Sequence, residues 1–198
     1  MKGVSDLLFF LLLTIFVQNI VLTTGFGSSV MLRIVRRPQD IFRFGGLLCG
    51  FSLLTMLIAY PLDRLIGTSY TAKLLRPLML IAIAAVLYIL ACLILKRAVP
   101  SVYANVRRLL PLAAFNNVVI GIALIANHTF ALSLPGAVGL AVGSSVGFVL
   151  LSWLTAEGME RIDNPDMPQA FRGLPATLLY LGILALALMG FGSSVSMM

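Results

Sequence analysis

The chain has 198 residues, 60% of them hydrophobic and 11% charged, with a formal charge of +7 and a mean hydropathy of +1.06. Soluble domains average about 45–50% apolar and about 25% charged residues, so this composition excludes a water-soluble enzyme and describes an integral membrane protein. The fourteen Lys and Arg gather at the ends of apolar runs, where topology and anionic lipid account for them and nucleic-acid binding does not.

At roughly 20 apolar residues per span, the length predicts six transmembrane helices and leaves no room for an extramembrane catalytic domain. The runs lack period-2 alternation, which selects helices over a barrel. The first span, about 4–31, begins behind Met1-Lys2. It is too long for a secretory signal core and has no small-x-small cleavage site, so it is expected to be retained. Its interior reads FVQNIVLTTGFGSSV from Phe16 to Val30, with Gln18 and Asn19 adjacent and Thr23, Thr24, Gly25, Gly27, Ser28 and Ser29 following. An amide without a partner in hydrocarbon costs about 2–7 kcal/mol. The pair therefore predicts a helix broken near the bilayer midplane, with the amides capping the broken ends. The alternative is an amide that holds two helices together, a contact of about 0.6 kcal/mol on average.

The connector RIVRRPQD leads to a second span at about 44–62, and PLDRLIGTSYTAKLLRP leads to a third at about 75–95. After KRAVPSVYANVRR comes a fourth, about 109–127, which contains Asn116-Asn117-Val118-Val119 and then Gly121. The fifth, about 133–155, follows NHTFALSLP and carries Gly139, Gly143 and Gly147 at four-residue spacing. That spacing allows a second helix to approach closely; a permeation path is the other reading. The loop EGMERIDNPDMPQAFRG then sets Glu157, Glu160, Asp163 and Asp166 beside Arg161 and Arg172. Such a run is either a solvated loop with helix-end pairing or a cation-gathering surface. A sixth span at about 174–194 closes the chain.

Basic residues fix the orientation. Arg33, Arg36, Arg37 and Arg43, then Lys96, Arg97, Arg107 and Arg108, then Arg161 and Arg172 share one side, ten in all. Lys2, Arg64, Lys73 and Arg76 make four on the other. The positive-inside rule then places both termini outside the cytoplasm of a plasma (inner) membrane.

Divided near residue 98, the chain gives two halves, 1–98 and 99–198, of three spans each. An odd number per half makes any repeat inverted in topology. Gln18-Asn19-Ile20-Val21 matches Asn116-Asn117-Val118-Val119 at an offset of 98 residues, and glycine follows both amide pairs. The fold class is thus all-α integral membrane, an inverted 3+3 repeat with spans 1 and 4 interrupted. Gln18, Asn19, Asn116 and Asn117 form the predicted midplane lining.

The stretches FVQNIVLTTGFG, PSVYANVRRLLPLAAFNNVVIGIAL, MERIDNPDMPQAFRG and LALALMGFGS resemble the Rnf/Nqr family of membrane subunits, in particular its A-type (Rnf) and E-type (Nqr) members. They are spread over nearly the whole chain in the family's order. The resemblance implies six spans in an inverted repeat and pairing with a related membrane subunit of opposite topology. It also implies assembly with other redox subunits, and electron flow coupled to export of Na+ or H+. It further implies an iron–sulfur cluster between the paired subunits, each giving one cysteine from span 1 and one from span 4. Here Ser29 and Asn117 stand at those two positions. A hydroxyl and an amide are poor substitutes for the thiolates such clusters require. Glu160, Arg161, Asp166 and Arg172 follow the family's loop pattern and imply a docking role.

Cys49 and Cys92 lie in spans 2 and 3 and read as small buried hydrophobes. No CxxC is present, and His128 alone cannot build a multi-histidine metal site. Span-embedded carboxylates are absent, since Asp6 and Asp63 lie near span ends, and no catalytic residue or metal site is expected. The Thr23-Thr24 pair is not read as a flavin attachment site, because the family's flavin motif belongs to other subunits. The sequence therefore predicts a membrane subunit of a redox-driven ion-translocating complex, not catalytic alone. The rival is a stand-alone ion or small-solute transporter of the same fold that has lost redox work.

Overall fold

The computed structural model describes residues 2–17, 19, 25, 27–66, 70–128, 133–162 and 168–196. Every element among them is helical. Helix α1 (Lys2–Leu12) widens into a π-helical turn at Leu13–Val17. After the first break come α2 (Ser28–Ile34), α3 (Pro38–Ile66) and α4 (Tyr70–Ala98). The second half holds α5 (Pro100–Val106), α6 (Leu110–Ala114), α7 (Asn117–His128), α8 (Leu134–Ile162) and α9 (Leu174–Ser196).

Among the described residues, three helices are long and apolar enough to cross a bilayer, at Pro38–Asp63, Leu74–Ala98 and Leu134–Ile162. A fourth crossing results if Pro100–Val106 and Leu110–Ala126, bent by 70° to each other, count as one broken span. Shorter apolar helices occupy Gly3–Ile15 and Leu174–Leu188. The second span is longer than hydropathy alone suggests. Pro38 starts α3 where its missing N–H costs nothing, and Asp40 sits in the first turn against the helix dipole. Pro100 does the same for α5, turning part of an expected connector into helix.

Helix α8 is the hub. It packs along α1 and α3 and also meets α7 and α9. Most of its crossing segment is buried, whereas α4 turns most of its apolar surface outward. Phe148 of α8 meets Phe44 of α3 with ring centroids 5.2 Å apart, among Met31, Ile41, Leu110 and Ile122, all fully buried. Three of the hydroxyls of α8 are absorbed locally, whereas the buried Ser152 Oγ has no hydrogen-bond partner among the described residues. Ser144 donates to the Leu140 carbonyl at 2.7 Å, Ser145 to Ala141 at 3.0 Å and Thr155 to Leu151 at 2.7 Å. Such bonds let polar side chains sit inside a buried helix without an unmet donor.

Contacts between elements sort the connectors onto two ends. A cavity of about 590 Å³ brings the α2–α3 turn, Arg33 to Asp40, against Ala104 to Leu109 between α5 and α6. A second, of about 580 Å³, brings Arg36 and Pro38 against Glu160, Gly173 and Leu174 at the α8–α9 connection. Away from that end, Ser133 Oγ, just before α8, donates to the Asp6 carboxylate of α1 at 3.0 Å. Asp63 and Arg76 pair at 3.0 Å between the end of α3 and the start of α4, both nearly buried.

Candidate functional site

The site is built where the chain leaves helical geometry twice. In the first half, Gly25 and Gly27 both adopt left-handed backbone, with φ of 71° and 79°, a region open to glycine at little cost. Gly27 is the residue before α2, which has no side-chain cap. In the second half, α6 ends at Ala114 and α7 restarts at Asn117. Asn116 Oδ1 accepts a hydrogen bond from the Val118 backbone N–H at 2.9 Å. That is an N-cap, in which a short side chain meets one of the orphan donors of a new helix.

The two interruptions touch. A Cβ added to Gly27 would stand 2.8 Å from Val118 Cγ2, 3.1 Å from Asn116 Oδ1 and 3.2 Å from Phe148 Cε2. Asn116 is buried and its Nδ2 has no hydrogen-bond partner among the described residues. Asn19 is also buried, with Nδ2 donating to the Ile15 carbonyl at 3.3 Å. Asn117, by contrast, is exposed at the first position of α7, and Ser29 is exposed near the start of α2. Gln18, Thr23, Thr24 and Asp166 lie outside the described residues.

The glycine stripe of α8 faces α1. Gly139 is seated on the Leu7 carbonyl, Gly143 on Thr14 Oγ1 and the Leu11 carbonyl, and Gly147 on Asn19. A Cβ at Gly147 would be 2.6 Å from Asn19 Nδ2. The stripe thus brings Asn19 to the level of Phe148, and so to the Gly27–Asn116 contact. Thr14 was not singled out by sequence; its Oγ1 donates to the Phe10 carbonyl at 2.7 Å. Its place seven residues after Leu7, on the helix face that meets the glycines, was the available signal.

Glu160 and Arg172 lie apart from this contact, both exposed, with Glu160 lining the 580 Å³ cavity. Arg161 pairs with Glu157 one turn earlier at 3.2 Å, both on the surface.

Ser29 lies two residues after Gly27 and Asn117 directly after Asn116, and both are exposed. The donor set does not fit an iron–sulfur cluster. A hydroxyl and an amide occupy those positions, while the thiols of Cys49 and Cys92 sit half-buried in α3 and α4. Among the described residues, no group of three or more His, Cys, Asp and Glu is placed to hold a metal ion.

A family model described as "Rnf-Nqr subunit, membrane protein" matches residues 7–195. The A subunit of the Na(+)-translocating ferredoxin:NAD(+) oxidoreductase complex of Acetobacterium woodii is 30% identical over 93% of this chain and 96% of its own length. The A subunit of the ion-translocating oxidoreductase complex of Syntrophotalea carbinolica is 30% identical, over 96% of this chain and 98% of the relative. Its counterpart in Pasteurella multocida is 29% identical, over 94% and 97%.

Proposed function

The chain belongs to the Rnf-Nqr family of membrane subunits, and from that premise we propose that it forms half of the membrane core of a redox-driven, ion-translocating electron-transport complex. In this reading the chain crosses the inner membrane six times as an inverted repeat of 1–98 and 99–198, with both termini outside the cytoplasm. Its partner is a related membrane subunit of opposite topology, and the exported ion is Na+ or H+.

The observation that carries the reading is the contact of Gly27 with Asn116. Each residue lies at the break of its own half, and a break in corresponding spans of two halves marks a midplane site in membrane transport proteins. The distribution of connectors supports six spans. Those after the first, third and fifth apolar segments share the two cavities that meet at Arg36. Asp6 and Ser133, at the starts of the first and fifth segments, meet at the other end. Asn19 and Asn116, with Gln18, form the polar lining in this reading, and Asn117 faces outward beside them toward the partner subunit. Glu160, Arg161, Asp166 and Arg172 form the docking loop toward other subunits.

The Ser29 and Asn117 donor set favours a second reading, a transporter that keeps the fold without redox work. Purifying the tagged full-length chain from its native membranes and analysing flavin and iron separates the two. The first reading expects co-purified flavin- and iron-bearing subunits. Iron-free, flavin-free protein that supports solute or ion uptake alone would establish the second.

A further inference from the structure

The 590 Å³ cavity at the basic end of the molecule is lined by five arginines, Arg33, Arg36 and Arg37 from the α2–α3 turn and Arg107 and Arg108 from the α5–α6 turn. Asp40 is the one acidic lining residue among the described residues, and its carboxylate is engaged by Arg43 at 3.6 Å. None of the five guanidiniums has an ion-pair partner among the described residues. Two segments remote in sequence therefore converge five arginines on one concave site. All five side chains are exposed; such a cluster attracts anions, and guanidinium forks match phosphate oxygens in bidentate geometry.

The surroundings are apolar. Ile34, Leu109 and Leu112 complete the lining. Phe42 and Val102, each two residues from a lining residue, leave large apolar side chains exposed. Basic pockets between membrane helices suit anionic lipid head groups. We propose that this cavity is a binding site for the phosphodiester head group of an anionic phospholipid, held by Arg36, Arg37, Arg107 and Arg108, with acyl chains lying along the exposed apolar flank. The lipid would clamp the α2–α3 turn to the α5–α6 turn, and so join the ends of the two broken segments. This inference does not rest on the redox role proposed above.

The test uses the full-length chain in a neutral detergent, with native mass spectrometry and thermal unfolding as readouts. Three probes are titrated: short-chain phosphatidylglycerol, short-chain phosphatidylcholine and inorganic phosphate. The expected result is a saturable phosphatidylglycerol adduct that raises the unfolding temperature and weakens with salt. Replacing Arg36, Arg37, Arg107 and Arg108 together by Gln should weaken it on the order of tenfold or more. Replacement by Lys keeps the charge but loses the fork, and should bind more tightly than the Gln variant and less tightly than the native chain, which guards against mere misfolding. Changing Lys96 and Arg97 to Gln, outside the cavity, should leave it intact. Equal binding of the two lipids, or full binding by the Gln variant, would overturn the proposal. Displacement of phosphatidylglycerol by phosphate at similar concentration would also overturn it, by assigning the site to a soluble phosphate group.

Discussion

Gly27 and Asn116, one at each interruption of the chain, stand against each other so closely that a methyl group on Gly27 would lie 3.1 Å from Asn116 Oδ1. The same methyl would meet Val118 at 2.8 Å and Phe148 at 3.2 Å. Gly27→Ala combines a left-handed backbone, at roughly 1–2 kcal/mol, with overpacking at about 1–3 kcal/mol. Gly25→Ala shares the positive φ but has nothing within 4 Å, so only the backbone cost applies. Thermal unfolding in detergent should rank Gly27→Ala clearly below Gly25→Ala; equal losses would mean that the two breaks do not touch.

Asn116 is expected to act as the cap of α7. Asn116→Ala removes the acceptor that receives the Val118 N–H and should cost about 1 kcal/mol, within a range of roughly 0.5–2. Asn116→Ser keeps a hydroxyl acceptor and deletes the Nδ2 that has no partner among the described residues. Chemical denaturation should therefore find Ser milder than Ala. A larger loss for Ser would show that the amide nitrogen, not the cap oxygen, is what the fold needs.

Close approach of α1 and α8 depends on Gly143. A Cβ there would come within 2.6 Å of the Leu11 carbonyl, backbone that can shift only with the whole helix. Gly143→Ala should lower the unfolding temperature by an amount equivalent to about 1–3 kcal/mol, and Gly143→Leu should abolish a monodisperse peak on size exclusion. Gly46→Ala, where nothing lies within 4 Å, serves as the tolerated control. An unaffected Gly143→Leu variant would refute tight packing along this stripe.

The Asp63–Arg76 pair ties α3 to α4 across their connection, with both side chains nearly out of solvent. Breaking one partner of a buried pair typically costs more than replacing both. In a double-mutant cycle, Asp63→Asn and Arg76→Gln should show a coupling of about 1–3 kcal/mol. Strictly additive losses would reduce the pair to a surface contact.

Much of this is legible in the amino-acid sequence, for physical reasons. Amides and glycines inside an apolar run have few uses in hydrocarbon, so Asn19, Gly27 and Asn116 announced the breaks. The four-residue spacing of Gly139, Gly143 and Gly147 announced a close helix contact, though not that α1 supplies it. The 70° bend before Leu110 is not expected from hydropathy, although its cause is in the sequence. Pro111 has no N–H to give the Arg107 carbonyl, and its ring crowds that turn. The outward turn of Asn117 beside buried Asn116 follows from the cap. Once Asn116 faces back to bond Val118, its neighbour must point elsewhere. The arginine cavity was illegible in principle, because it exists only where two distant turns meet.

The account rests on two halves that enter the membrane from opposite sides and meet at their breaks, and side-specific labelling tests that most directly. In a Cys49→Ala, Cys92→Ala background, single cysteines replace Ser5, Arg37, Ser101, Ser133 or Arg172, and intact cells are treated with a membrane-impermeant maleimide. The predicted result is labelling of Ser5→Cys and Ser133→Cys in intact cells, and of Arg37→Cys, Ser101→Cys and Arg172→Cys only after permeabilisation. Labelling of Arg37→Cys and Ser101→Cys from opposite sides would contradict it.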